Sequence, residues 1–178
     1  MILNSDLILY HPLWEKADDF LCNKDAIGLF KRLVDVYIIA CSIGIKADKA
    51  ITKIENPMDT PKTIGRNTYM SMTNTDLKDL LDHMLQNALI CSETLDLEMD
   101  ERLKLAFDPE YTNSKISAAS LLNGFANYGI EQIFAHIDSV SPMVVIDQLY
   151  KYFESLTESN YDDILQSITL EDLINFSD

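Results

Sequence analysis

Residues 24–43 read KDAIGLFKRLVDVYIIACSI, and their apolar side chains recur every three or four positions. Because residues three and four apart share one face of an α-helix, this spacing predicts one long helix over 24–43. In its second half, Val36, Ile38 and Ile39 widen the apolar stripe until it nearly encircles the helix. A helix that is apolar on all sides is buried, so we expect it at the centre of the fold, with Gly44 as its C-cap.

Helical spacing continues along most of the remaining chain, and the whole chain contains only five Gly and five Pro. Low Gly and Pro content favours helices over turn-rich all-β folds. Within one predicted helix, Gly124 and Gly129 indicate either a break near Tyr128 or a close contact between helices. The sequence therefore predicts an all-α protein, a single irregular bundle of six to eight helices around the central helix. The further predicted helices cover residues 75–92, 97–106, 112–137, 143–156, 161–167 and 170–176.

Charge is distributed unevenly along the chain. Fourteen Lys and Arg oppose 29 Asp and Glu, so the net charge is −15. Residues 1–54 carry seven basic and seven acidic side chains, and the whole acidic excess lies in 55–178. The length suits one helical domain, 1–178, of which 157–178 is a candidate appended acidic helical tail. The sequence leaves two alternatives for residues 2–10, a strand and an extended arm.

Composition narrows the class of protein. A strongly acidic chain lacks the clustered Lys and Arg that are needed to wrap nucleic acid with the whole surface. The longest unbroken apolar run, Val36–Cys41, is too short to cross a bilayer. The first residues lack the basic start of a signal peptide, and three widely spaced cysteines suit a reducing compartment. We therefore expect a cytoplasmic protein that does not associate with membranes.

The local signatures of the common enzyme and metal sites are missing from the sequence. It contains neither glycine-rich phosphate loop, no His-Glu-x-x-His and no Gly-x-Ser-x-Gly. The nearest approach to a metal-ligand pair is Asp79 with His83, a spacing that more often marks a surface pair. His11 and His136 have no evident partner, and the cysteines lie in apolar stretches that make a thiol inert. We expect no catalytic residue, metal or cofactor.

Two stretches are candidate partner-binding sites, and the first is a basic face within residues 31–53. This stretch carries five basic and two acidic side chains. Such a patch can contact phosphates or an acidic partner, although a solvated helix face is the commoner explanation. Its basic residues are Lys31, Arg32, Lys46, Lys49 and Lys53.

The second candidate is a binding loop at residues 64–72, in a region where Pro57, Pro61 and Gly65 interrupt the helical pattern. Loops carry much of the recognition in proteins, and polar side chains beside a tyrosine suit a contact surface. The simpler interpretation is a connector that leads into the next helix. The candidate contact residues are Arg66, Asn67 and Tyr69.

The acidic C-terminal part of the chain suggests a different function. Residues 147–178 carry a net charge of −7, with aromatic side chains interleaved. Short acidic helices with apolar anchors can dock in a groove of a partner. They can also imitate the phosphates of DNA, so an acidic DNA mimic that inhibits a nucleic-acid-binding protein is the first alternative function. A pair of solvated terminal helices is the simpler explanation of the same charges.

Two segments carry a resemblance to a known group of proteins. Residues 30–45, FKRLVDVYIIACSIGI, and residues 122–130, LNGFANYGI, resemble the small helical accessory proteins encoded beside DNA-modification and anti-phage defence operons in bacteria. In such systems a larger ATPase or nuclease performs the chemistry and the small protein scaffolds it. The resemblance rests on residues typical of a core, so it transfers no functional residue.

The resemblance implies a non-enzymatic interaction or scaffold subunit of a larger bacterial multi-protein complex in anti-phage defence. Its protein partner would be the larger ATPase or nuclease subunit. Nucleic acid would be contacted only indirectly or through the basic face. A small hydrolase or metal-dependent enzyme is the second alternative, and it requires a pocket in which Asp79, His83 or other carboxylates converge.

Overall fold

A computed structural model describes residues 3–70, 75–108, 110–111 and 116–167 of the chain, with side chains described as far as residue 157. This part forms seven α-helices, one π-helical segment and a two-stranded sheet, which confirms the predicted all-α class. The predicted helix at 170–176 lies outside the described residues, as do most side chains of the candidate tail 157–178. The helices are α1 (Leu13–Lys16), α2 (Leu33–Ala47), α3 (Arg66–Met70), α4 (Thr75–Cys91), α5 (Met99–Phe107), α6 (Ala118–Ala135) and α7 (Pro142–Ser167).

The chain divides into two compact units, Met1–Ala135 and His136–Asp178. The first unit contains α1 to α6 and the sheet, and the second contains α7. In the first unit, the π-helical segment Ala17–Cys22 continues directly from α1. Strand β1 (Leu7–Leu9) pairs antiparallel with β2 (Lys62–Ile64), so the open question about residues 2–10 resolves into a short strand.

The central helix α2 begins at Leu33, so the predicted start near residue 24 is wrong. Gly28 has a φ of +59°, and this left-handed conformation cannot be part of a right-handed helix. The backbone is then extended at the N-cap Arg32, immediately before the helix. Gly44 lies inside α2 and is buried, whereas Asp48 is the left-handed C-cap at φ 48°. Four residues of the apolar run are buried as expected, whereas Ile38 and Ile39 are only half-buried.

The backbones of α2 and α6 approach each other most closely at two glycines. A Cβ atom on Gly44 would lie 2.1 Å from the carbonyl oxygen of Phe125, and one on Gly129 would lie 1.8 Å from that of Ala40. Both distances are far inside van der Waals contact, so only glycine fits at either position. Helix α6 runs without a break through Gly124 and Gly129. The predicted close contact between helices is found at Gly129, whereas a Cβ on Gly124 would meet Ala50 and Thr52, which lie outside the helices.

Asn123 and Asn127, one turn apart on α6, connect other parts of the first unit to this pair of helices. Asn127 Oδ1 accepts the indole N–H of Trp14 at 2.9 Å, and its amide nitrogen donates to the carbonyl of Ile51 at 3.1 Å. Asn123 likewise accepts the hydroxyl hydrogen of Tyr37 at 2.9 Å and donates to a carbonyl of β1 at 3.0 Å. Together with the backbone hydrogen bond from the Ile51 N–H to the carbonyl of Gly124 at 2.8 Å, the two amides attach residue 51 and β1 to α6.

Arg102 of α5 anchors the loop between α4 and α5. Its Nε donates to the carbonyl of Leu97 at 2.8 Å, and its two Nη atoms donate to the carbonyls of Ser92 and Leu95. Asp48 holds the other side of this loop by accepting the backbone N–H of Glu93 at 2.8 Å. Since the Arg102 residue is only 9% exposed, these carbonyls replace the water that its guanidinium loses on folding.

Candidate interaction surfaces

His11 and Glu131 form the arrangement closest to a catalytic dyad. His11 Nε2 lies 3.0 Å from Glu131 Oε1, and His11 Nδ1 accepts the backbone N–H of Leu13 at 3.3 Å. A ring nitrogen that accepts a hydrogen bond carries no hydrogen, so the imidazole hydrogen is on Nε2 and is donated to Glu131. Both nitrogens are committed, and the pair fastens the start of α1 to α6. Sequence analysis found no partner for His11 because the two residues are far apart in the chain.

The other candidate chemical groups do not converge on a site. Asp79 and His83 are both exposed on α4, and no group of three or more potential metal ligands occurs among the described residues. Cys41 is fully buried, and burial raises the pKa of its thiol well above the usual range. Burial and the nearby carboxylates Asp18 and Asp35 raise the pKa of Cys22 to about 11. Thiols held in the protonated form are poor nucleophiles.

The five residues of the candidate basic face lie at both ends of α2. Lys31 and Arg32 immediately precede the helix, whereas Lys46, Lys49 and Lys53 lie in its last turn or beyond it. At 1.5 Å per residue, the helix separates the two groups by about 20 Å. All five residues are exposed, but the structure does not gather them into one patch.

Arg32 and Lys49 both have partners within the protein. Arg32 Nη2 lies 2.6 Å from Asp35 Oδ1, and this pairing raises the pKa of the guanidinium. Lys49 Nζ lies 5.6 Å from the centre of the Tyr128 ring, a cation–π distance. The local field of each cation is thereby reduced, which weakens the attraction for a phosphate backbone.

The candidate binding loop is mainly a short helix, α3, that is tied to the N-terminal strand. Tyr69 is fully buried and donates its hydroxyl hydrogen to the carbonyl of Ser5, so its ring is part of the core and offers no contact surface. Burial, together with the charge of Asp6, raises the pKa of Tyr69 to about 12. Arg66 and Asn67 are exposed, and the backbone N–H of Arg66 donates to Asp6 at 2.6 Å. Met72 of this predicted loop lies outside the described residues.

A groove of about 340 Å³ lies between β1, residues 51–54 and α6. Its polar lining includes Asp6, Asn123 and Asn127. Each of these side chains already accepts or donates a hydrogen bond that holds the fold together. The groove therefore lies where elements of the first unit meet, and these three polar side chains are already used in hydrogen bonds that stabilise the fold.

The side of α7 opposite its buried face carries exposed apolar residues that alternate with acidic ones. Val145, Leu149 and Tyr152 are buried, as the spacing predicts. On the opposite side, Met143 is 76% exposed and Tyr150 is 63% exposed. We call Met143, Asp147, Tyr150 and Glu154, together with the exposed Val140 that precedes the helix, the α7 outer face. Sequence analysis missed it, although the 143, 147, 150 and 154 positions follow the alternating three- and four-residue spacing of a helix stripe.

Helix α5 also presents large apolar side chains to solvent. Met99, Leu103 and Phe107 are 50%, 41% and 61% exposed, respectively. They occur every four residues, so they form a line along one side of the helix. We call this line the α5 stripe. Sequence analysis assigned no role to these residues because a short helix with three apolar positions is ordinarily a core helix.

Comparisons with known proteins found no matching family model, no matching curated protein and no matching solved structure. Among the helices in the described ranges, none is both long enough and apolar enough to cross a membrane.

Proposed function

We propose that this protein is a non-enzymatic interaction subunit of a larger bacterial multi-protein complex. The observation that carries the proposal is the α7 outer face, where Val140, Met143 and Tyr150 are each more than 60% exposed. Large apolar side chains that remain this exposed within one short segment are typical of a surface that a partner covers. Tyrosine and methionine are also the residue types that suit such a contact, since one is rigid and the other adapts.

A helix of another protein is the occupant that fits the α7 outer face. Met143, Asp147, Tyr150 and Glu154 follow the three- and four-residue spacing by which helices pack side by side. Asp147 accepts a hydrogen bond from Lys151 at 2.8 Å, and Glu154 accepts the hydroxyl hydrogen of Tyr150 at 3.5 Å, so both carboxylates of this face are already hydrogen-bonded. A second copy of this chain would add another net charge of −15 to the complex, so a different protein is favoured.

The resemblance of residues 30–45 and 122–130 to defence-operon accessory proteins supports a role in anti-phage defence. In that role the partner is a larger ATPase or nuclease, and this chain scaffolds it. Both nitrogens of His11 are engaged in hydrogen bonds, which argues against this residue as a general base, because a general base needs a nitrogen within reach of the substrate.

The test is co-purification of tagged protein from its native host, with paired variants washed at low and high salt. In the first variant, Met143→Ser and Tyr150→Ser remove the apolar contacts of the α7 outer face. The matched control is Leu80→Ser, which removes an apolar side chain that is 43% exposed on α4. We expect a stoichiometric partner that survives high salt, is retained by the control and is lost from the double variant.

Two results would contradict the proposal. A partner retained equally by the double variant would show that the α7 outer face is not the contact. A nucleic-acid-binding protein that is released by high salt from every variant would instead indicate DNA mimicry, because charge-driven contacts are screened by salt.

A further inference from the structure

The α5 stripe is a fixed feature of the first unit. Each residue of a helix turns by about 100°, so Met99, Leu103 and Phe107 lie within an arc of about 80°. The side of α5 that carries Arg102 and Leu105 is occupied, since both residues are buried. The helix therefore cannot turn the stripe inward without exposing its present core residues.

Several polar contacts hold α5 in this orientation. Arg102 donates to three carbonyls of the preceding loop, and Gln86 of α4 donates to the carbonyl of Ala106 at 3.3 Å. A surface whose helix is already fixed loses little conformational entropy when a partner binds. The stripe is thus preorganised for contact.

Acidic residues are frequent in α5 and in the segments that flank it in the sequence. Residues 93–110 carry seven acidic and two basic side chains, a net charge of −5. One of the two basic residues, Arg102, is buried against carbonyls. The other, Lys104, lies 6.0 Å from the centre of the Tyr111 ring. We call the exposed acidic residues of this stretch the acidic rim. They are Glu93, Asp96, Glu98, Asp100, Asp108 and Glu110.

We propose that the α5 stripe binds a basic amphipathic segment of a partner protein, with apolar side chains on the stripe and Lys or Arg against the acidic rim. The apolar line supplies contact area, and the carboxylates select the charge of the partner and steer its approach. A second copy of the chain would bring another acidic rim into contact with the first, and an anionic membrane would be repelled in the same way. This surface is separate from the α7 outer face and does not depend on the function proposed for it.

The first experiment measures binding of a synthetic helical peptide of roughly 14 residues, with Leu and Phe on one face and Lys and Arg on the other, by fluorescence anisotropy. The full chain carries Met99→Ser and Phe107→Ser in the test variant. The control variant carries Val140→Ser and Met143→Ser, which change the α7 outer face instead. We expect binding to the unaltered chain, a loss of at least about tenfold in the test variant, and no change in the control.

The second experiment separates the rim from the overall negative charge of the chain. One variant combines Asp96→Asn, Glu98→Gln and Asp100→Asn at the rim. The other combines Asp25→Asn, Glu55→Gln and Asp59→Asn at exposed positions outside residues 93–110, so both variants have the same net charge. We expect the rim variant to weaken peptide binding about tenfold and the matched variant to weaken it by less than about twofold at physiological salt.

Each of the following results would overturn the inference. Equal weakening by the two charge variants would show attraction to the whole chain rather than to the rim. A peptide of the same apolar pattern with Glu in place of Lys and Arg that binds as well would remove the role of charge. A dimer in sedimentation that is lost with Phe107→Ser would identify a second copy as the occupant. Circular dichroism of every variant serves as the control for folding. A negative result of the co-purification test of the α7 outer face would leave these outcomes unchanged.

Discussion

Replacing Gly129 by alanine should strongly destabilise the first unit, because the new methyl group would meet backbone. Its Cβ would lie 1.8 Å from the carbonyl oxygen of Ala40 in α2. Relief to a contact distance of about 3.5 Å requires the two helices to part by about 1.7 Å at this point. Since neither the oxygen nor the methyl group belongs to a flexible side chain, the helices themselves must move.

The magnitude follows from two opposing effects. Parting the helices loses packing along the crossing, including the contact at Gly44, at a cost of about 3–5 kcal/mol. Alanine is the better helix former, which returns about 1 kcal/mol. The net loss in free energy of unfolding is therefore about 2–4 kcal/mol, or a fall in Tm of roughly 10 °C for a protein of this size.

Urea unfolding followed by circular dichroism measures this loss, and Gly124→Ala on the same helix is the matched control. A Cβ on Gly124 would meet the side chains of Ala50 at 3.3 Å and Thr52 at 3.4 Å, and the carbonyl oxygen of Ile51 at an ordinary contact distance of 4.0 Å. These side chains can shift by a few tenths of an ångström, so the control should change stability by less than about 1 kcal/mol. A Gly129→Ala variant as stable as the control would refute the close backbone contact between α2 and α6.

Three further predictions concern stability, pH and thiol reactivity. Arg102→Met keeps the aliphatic packing but leaves three carbonyls without their donor, so we expect a loss of about 3 kcal/mol in urea at an unchanged m value; an unaltered midpoint would contradict the anchoring role. Hydrogen bonds from Ser92 and from the backbone N–H groups of Glu93 and Thr94 lower the pKa of Asp48. The Asp48 carboxylate therefore stabilises the fold fully above its unfolded-state pKa of about 3.9, and this stabilisation is lost as the pH falls through its lower pKa in the folded protein. The wild-type chain should therefore exceed Asp48→Asn in stability at pH 7 and lose that advantage in acid, and a difference that persists at pH 2 would show that charge is not its cause. Iodoacetamide followed by mass spectrometry should modify the exposed Cys91 fast and the buried Cys41 only on unfolding, whereas equal rates would mean that Cys41 is accessible.

Local patterns in the sequence predicted much of the helical structure. Most of the apolar run at Val36–Cys41 is buried, as expected, although Ile38 and Ile39 remain half-buried. The predicted start of α2 near residue 24 was wrong because the apolar pattern continues through Gly28, where the backbone is left-handed. Hydrophobic spacing records which side chains are apolar, but it does not register the conformation of a single glycine.

The candidate surfaces were harder to predict. The basic residues from Lys31 to Lys53 are close in sequence, but α2 holds them at opposite ends. Tyrosine is a residue type that is common in contact surfaces, yet the ring of Tyr69 is buried. Whether an apolar or aromatic side chain faces the core or solvent depends on which neighbouring elements cover it, and the chain itself does not state that.

By itself, the sequence determined the all-α class, the burial of most of the central apolar run and the strongly acidic character. These properties depend on local spacing and on composition, which need no knowledge of neighbours. Only the tertiary structure decided that Gly44 and Gly129 meet opposing backbone, that His11 pairs with Glu131, and that the α5 stripe stays uncovered. Each of these depends on residues distant in the chain coming within a few ångströms, which side-chain periodicity cannot encode.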